Sequence, residues 1–118
     1  MIKAIIKEKI FATKAEIYLC TMNEFNKVAE KKGYASEGED DTTGLHQVVY
    51  KKDDTLHVIW VNSKTKRTDR LNILAHEMVH LVMKRFKRIA VPIGPKNEET
   101  FAYFYASMLA EAAKKIGI

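Results

Sequence analysis

One segment constrains the fold of this chain more than any other, because it combines a long helical pattern with two histidines. The run from Arg70 to Phe86, RLNILAHEMVHLVMKRF, has no Gly or Pro and repeats its apolar residues at helical spacing. It is apolar on nearly all sides, which predicts a helix buried against other elements. His76 and His80 are four residues apart in this run, so their side chains share one face of the helix.

The residue types on this face suit a zinc ion. Neutral imidazole is a good Zn²⁺ ligand, and zinc lowers the pKa of a bound water to about 7. Glu77 lies between the histidines, in an HExxH motif, and a carboxylate beside such a water can take its proton and pass it to a leaving amine. Two histidines and a glutamate are costly to bury without partners, so a buried helix that carries them indicates a catalytic zinc site.

A catalytic zinc usually takes a third protein ligand, and the sequence restricts the choice. No His or Cys follows His80, and the later carboxylates are Glu98, Glu99 and Glu111. Gly94-Pro95 predicts a turn before a second helix, in which Glu98 and Glu99 occupy the first turn. Acidic residues there also interact favourably with the helix dipole, and this effect alone accounts for at least one of them.

Helical geometry favours Glu99 as the third ligand, with Glu98 as the alternative. Glu99 shares a stripe with a set of small residues, which predicts a face that packs closely on the metal helix: Ala102, Ala106, Ala110 and Ala113. Tyr103, one turn after Glu99, is the expected catalytic partner, either as an oxyanion donor or by orienting a ligand. His46 and His57 are weaker candidates for the same duty, since a strand histidine is more often satisfied by a neighbour.

At these residues the chain resembles the gluzincin metallopeptidases, in which a glutamate from a following helix completes HExxH. The segment from Asn97 to Tyr103 is similar to the glutamate helix of that family. The resemblance implies a minimal zincin-like domain, a Zn²⁺ cofactor and peptide hydrolysis. Thermolysin-like members place an Asp one turn after the ligand glutamate to orient a zinc histidine, whereas this chain has Tyr103 there.

Two narrower resemblances lie within that class. His57 to Ser63, followed by Asn72 to Glu77, is similar to the strand and active-site helix of ImmA/IrrE-type regulatory proteases. A resemblance over most of the chain is to small phage-encoded metallopeptidases, through Lys14 to Thr21, Ala75 to Phe86 and Ala102-Tyr103. It implies a phage or prophage origin and a cytoplasmic location in a bacterial host, but it implies no particular substrate.

Length and composition suit one domain over residues 1–118, since 118 residues that are 47% hydrophobic can bury one core. The chain has no apolar run long enough to span a membrane, and lysines interrupt its N-terminal apolar residues, so we expect a soluble, intracellular protein. The single Cys20 excludes an internal disulfide and is expected to be a small buried hydrophobe.

The expected fold class is α+β, with a small antiparallel or mixed sheet packed against the buried HExxH helix and a C-terminal glutamate-bearing helix. Thr21 and Glu24 form a capping box for a helix that ends at Gly33, and Ser36 to Gly44 predicts a mobile loop. The remaining segments predict strands or mixed structure, the last two as a hairpin across Lys52-Asp53-Asp54: Ile2–Phe11, Glu16–Cys20, Leu45–Lys51 and Thr55–Asn62. The resemblance to these metallopeptidases also implies that the strand directly before the metal helix binds substrate as an added strand.

The net charge of +5 suggests an acidic partner, either nucleic acid or an acidic protein segment. Of the 20 basic residues, 8 flank the metal helix: Lys64, Lys66, Arg67, Arg70, Lys84, Arg85, Lys87 and Arg88. Solvated helix ends are the simpler interpretation. Two functions are therefore open, a zinc endopeptidase acting on a peptide or protein substrate, and a catalytically silent zincin-fold module that contacts protein or nucleic acid. The sequence leaves the oligomeric state open.

Overall fold

A four-stranded mixed sheet with helices on both faces forms the framework of the protein. The structure is a computed structural model, and it describes residues 1–36, 41–51 and 54–118. Its elements are β1 (Ile2–Glu8), β2 (Thr13–Cys20), α1 (Met22–Lys32), β3 (Gly44–Lys51), β4 (Asp54–Asn62), α2 (Arg67–Arg88), a short 3₁₀ turn (Pro95–Asn97) and α3 (Glu98–Ile116). The α+β class and the mixed sheet predicted from the sequence are confirmed.

The strand order is β1-β2-β4-β3, which places β4 inside the sheet. β4 pairs with β2 in parallel, with Tyr18 opposite Trp60, and with β3 antiparallel, with His46 opposite Ile59. The prediction that the strand before the metal helix is open to a substrate strand is therefore wrong, because both edges of β4 are already paired. β3 is the edge strand next to β4, and only one of its two edges is paired in this sheet.

Alternating side chains divide the core between the two faces of the sheet. Ile17, Ile59 and Val61 point to the face covered by α2 and α3, where they pack with Met78 and Phe104. The opposite face packs under α1 through a smaller cluster: Tyr18, Cys20, Phe25, Ala29, Tyr34, Val58 and Trp60. Cys20 is buried there as expected, and burial raises the pKa of its thiol to about 11, so the thiol stays protonated at neutral pH.

Local signals placed both ends of α1 correctly, but β1 ends at Glu8 instead of Phe11 and β2 begins at Thr13 instead of Glu16. Thr21 and Glu24 form the predicted capping box at the start of α1, and Gly33 ends the helix with a left-handed φ of 76°. The β3–β4 hairpin is present, while residues 37–40 of the predicted loop and residues 52–53 of the predicted turn lie outside the described residues. Asn97 is at the N-cap position of α3, but its side chain donates to the carbonyl of Pro92 instead of capping the helix. Within the described ranges, no helix is long and apolar enough to cross a membrane.

The HExxH helix is buried on one side only. Its buried residues lie on one face: Leu74, Glu77, Met78, Leu81, Val82 and Phe86. His76 and His80 are exposed, as are Leu71 and Met83. The prediction of a helix buried all round is therefore wrong. α2 has enough apolar residues to bury more of its surface, but the sheet and α3 cover only one side of it.

Candidate metal centre

The two histidines of α2 converge on one point above the helix. The Nε2 atoms of His76 and His80 lie 3.2 Å apart, because residues four apart on a helix stack on the same face. Two nitrogen ligands of a tetrahedral zinc ion, each about 2.0–2.1 Å from the metal, are about 3.3–3.4 Å apart. The pair is therefore spaced as two ligands of one zinc ion are, and both rings are open to solvent.

Glu77 lies at the edge of a shallow cavity beside this pair. Its side chain is 9% exposed, and burial raises the pKa of its carboxyl group, against the opposing effect of the His76 and His80 charges. The cavity, of about 320 Å³, is lined by Thr43, Asp69, Asn72, Ile73, His76 and Glu77. The carboxylate of Glu77 and the imidazole of His76 therefore belong to residues that border the same cavity.

The start of β3 forms the other wall of the site and approaches α2 very closely. A Cβ atom at Gly44 would lie 2.6 Å from Cγ2 of Ile73 and 3.3 Å from Cγ of Glu77. Only glycine fits this contact without displacement, because ordinary carbon contacts are longer. Sequence analysis missed Gly44, although a glycine at the first residue of a strand is a known sign of close approach.

Asn62, at the end of β4, fixes the chain that leads into Gly44. Its buried side chain donates to the carbonyl of Thr42 at 3.0 Å, and its backbone N–H donates to the carbonyl of Thr43 at 2.9 Å. Its Oδ1 accepts from the backbone of Lys64 on the way to α2. One buried amide thus holds the two walls of the cavity together.

The packing of α3 reverses the argument that favoured Glu99. Glu99 faces a separate surface cavity with Ile10 and Phe11, and the small-residue stripe beside it is exposed at Ala102, Ala106 and Ala110. The expectation that this stripe packs on the metal helix is wrong, because larger residues, Phe101 and Tyr105, make that contact. Phe101 stacks edge-on against Phe86, and the hydroxyl of Tyr105 donates to the carbonyl of Ala75. Glu98 shares the face of Phe101 and Tyr105, so helix geometry now favours Glu98.

Tyr103 lies away from the cavity that contains His76 and Glu77. It is 68% exposed and lines the cavity of Glu99, since its position on α3 points it toward the β1–β2 turn. The prediction that Tyr103 assists at the metal therefore finds no support in its position. Tyr105, whose hydroxyl lies 3.3 Å from the carbonyl of Ala75, is the tyrosine beside the motif. Tyr105 follows Glu98 by seven residues, about two helical turns, so the sequence could have placed these two residues on the same face of α3.

His46 and His57 form a second pair on the same side of the sheet. His46 Nε2 and His57 Nδ1 share a hydrogen bond of 3.1 Å, and the rings stack. Burial lowers the pKa of His46 to about 3, and the positive charges of His57, His80 and Lys84 contribute to this lowering. Burial also lowers the pKa of His57 to about 4. One ring nitrogen of each imidazole is thus satisfied by the other ring, in keeping with a structural role for a strand histidine.

The arrangement thus supplies two nitrogen donors and a neighbouring carboxylate, with His76 and Glu77 on one cavity. In the part of the chain that the structure describes, no group of three or more His, Cys, Asp or Glu side chains is placed to hold a metal. The two-histidine half of a zinc site fits the residues present, and the third donor does not reach it in this conformation. No family model, no curated protein and no solved structure matches this chain.

Proposed function

We propose that this protein is a zinc-dependent endopeptidase. The observation that carries the proposal is the 3.2 Å separation of His76 Nε2 and His80 Nε2, with Glu77 in the adjacent cavity. Glu77 matters most for the choice of function, because a structural zinc site does not need a general base. As the resemblance to phage-encoded peptidases implies, the proposal includes a cytoplasmic location in a bacterial host.

Each residue of the site has one task. His76 and His80 would hold zinc, and zinc, when bound, would lower the pKa of a water and polarise a carbonyl group. Glu77 accepts a proton from the attacking water and transfers it to the nitrogen of the leaving amine. A carboxylate from the start of α3 would have to approach the pair to complete the ligand set, and we assign this part to Glu98, with Glu99 as the competing candidate.

Substrate approaches along β3 in this proposal. β3 pairs with β4 through one edge, and its start lies against the wall of the cavity at Gly44. An extended peptide added to the other edge would gain backbone hydrogen bonds and pass beside the histidine pair. The missing side chain at Gly44 lets β3 lie this close to α2.

The competing function is a binding module without turnover. Two observations favour it, namely the exposure of both histidines and the absence, among the described residues, of a third donor near them. In such a module a partner protein or nucleic acid would cover the face of α2 that carries the histidines. Glu77 would then be a buried polar residue with no catalytic role. The two functions differ in whether Glu77 is needed for a reaction.

The test compares wild type with Glu77→Gln, both loaded with zinc, on a diverse peptide library analysed by mass spectrometry. Loss of the general base should reduce hydrolysis by about 10²–10⁴-fold while zinc binding and folding are kept. Asp69→Asn is the matched control, because Asp69 is an exposed carboxylate in the same cavity and should leave hydrolysis nearly unchanged. Equal cleavage by wild type and Glu77→Gln would exclude the mechanism, and no cleavage by wild type would favour the binding module.

A further inference from the structure

We infer that this protein selects an acidic residue in its peptide ligand through a basic pocket one to two helical turns beyond His80. The inference rests on the proposed function for its location, but it concerns recognition and not hydrolysis. The pocket, of about 290 Å³, is lined by Tyr50, Lys84, Lys87 and Arg88. It is referred to below as the basic pocket.

The cations of the basic pocket are free to meet a ligand. Lys84, Lys87 and Arg88 are exposed, and the ion pairs present in the described ranges use other residues. Arg88 lies over the ring of Tyr50, 5.9 Å from its centroid, and Tyr50 is 68% exposed. An aromatic wall beside three cations suits a carboxylate side chain, because the ring supports the guanidinium and leaves its N–H groups free.

The basic residues at the other end of α2 belong to a different surface. Arg70 is half-buried, and its guanidinium donates to the carbonyl of Ser63 at 2.6 Å, so it supports the β4–α2 connection. Arg85 lies at the same end of α2 as the basic pocket, but it donates to the carbonyl of Phe11 and is not part of the pocket lining. Lys66 and Lys84 are 18 residues apart, about 27 Å along a helix. The cations at the two ends of α2 therefore do not form one continuous surface, and the basic pocket is the one that contains Tyr50 of β3 together with Lys84, Lys87 and Arg88.

The basic pocket lies on the path of a peptide that follows β3. The start of β3 meets α2 at Gly44, beside Ile73 and Glu77, and its end meets α2 at Tyr50, beside Arg88. β3 and α2 therefore run side by side in the same direction. Lys84 and Arg88 follow His80 by four and eight residues, about 6 and 12 Å along the axis. At about 3.3 Å per residue of extended chain, the acidic side chain lies about two to four residues from the scissile bond.

A peptide fits these features better than nucleic acid does. Single-stranded nucleic acid is usually bound by a charged groove with aromatic side chains on which successive bases stack. The basic pocket offers one tyrosine, and Arg88 already lies over its ring. The three cations span about 6 Å along the helix axis. This short span matches one or two carboxylates more closely than it matches a repeating phosphate backbone.

The test measures binding of labelled ten-residue peptides by fluorescence anisotropy to zinc-loaded protein carrying Glu77→Gln, which prevents hydrolysis. The peptides share one neutral sequence and differ only in an adjacent Glu-Glu or Gln-Gln pair. We expect the Glu-Glu peptide to bind more tightly, by about two- to fivefold for each cation engaged, and this advantage to shrink at 0.5 M salt. Lys84→Gln and Arg88→Gln should each remove part of it, whereas Lys64→Gln and Lys66→Gln, exposed at the other end of α2, should not.

Equal affinity for both peptides, or equal losses in the control variants, would overturn the inference. Tighter binding of a single-stranded oligonucleotide than of the Glu-Glu peptide, lost in Lys84→Gln and Arg88→Gln, would also overturn it and assign the surface to nucleic acid. Binding does not require hydrolysis, so a charge preference in a protein that cleaves nothing supports the inference and removes the proposed function. Where cleavage by wild type occurs, cut sites should lie two to four residues from the Glu pair, as the helix rise predicts.

Discussion

Acidification should destabilise this protein well above the pH at which its carboxylates titrate, because of the pair formed by His46 and His57. Both pKa values are lowered from 6.5, to about 3 and about 4, chiefly by burial. The charged groups facing the pair, His80 and Lys84 for His46 and Arg85 for His57, act in the same direction. The folded protein therefore keeps both imidazoles neutral at pH values where the unfolded chain protonates them.

The sign and size follow from proton linkage. Well above pH 6.5 both states are neutral at these residues and the pair causes no pH dependence. As pH falls through 6.5 toward 4, the unfolded state binds protons that the folded state does not bind. At pH 5.5 each histidine stabilises the unfolded state by about 1.4 kcal/mol, so the pair lowers the unfolding free energy by about 3 kcal/mol. For a chain of 118 residues this corresponds to a fall in Tm of about 10 °C.

Thermal unfolding of metal-free protein at pH 7.5 and pH 5.5 measures the change, and NMR titration of the histidine ring signals measures both pKa values directly. A double variant, His46→Gln with His57→Gln, should lose most of the pH dependence if it folds, and the NMR titration tests the reasoning even if it does not. A pKa above about 6 for either His46 or His57 in the folded protein would refute the reasoning, since burial would then not exclude the charge.

Three further measurements probe the site. Gly44→Ala should lower the unfolding free energy by about 1–3 kcal/mol, because the new Cβ would lie 2.6 Å from Cγ2 of Ile73. Denaturant unfolding measures this loss. An unchanged unfolding midpoint would mean that β3 does not approach α2 so closely. Zinc titration by calorimetry should show a larger loss of affinity for Glu98→Ala than for Glu99→Ala, and the opposite order would restore the assignment made from sequence. Addition of zinc should raise the Tm of wild type by mass action but not that of His80→Ala, and an equal rise in both would place the zinc elsewhere.

Interactions between residues close together in the chain made several elements of this protein predictable from its sequence. The capping box at Thr21, the helix end at Gly33 and the hairpin of β3 and β4 depend on residues close together in the chain, and each is present as predicted. The convergence of His76 and His80 on one face of α2 was predictable for the same reason. Helical periodicity places residues four apart on one face whatever the rest of the chain does.

Only the tertiary structure determined which strands pair and which helix faces pack against each other. The sequence could not place β4 inside the sheet, because the pairing of β4 with β2 joins segments that are far apart in the chain. It also could not show that Phe101 and Tyr105, and not the alanine stripe beside Glu99, pack on α2. Periodicity fixes which residues share a face, but the face that becomes buried depends on which arrangement of all the elements covers the most apolar surface. The close approach at Gly44 and the position of the basic pocket beside β3 are consequences of that arrangement.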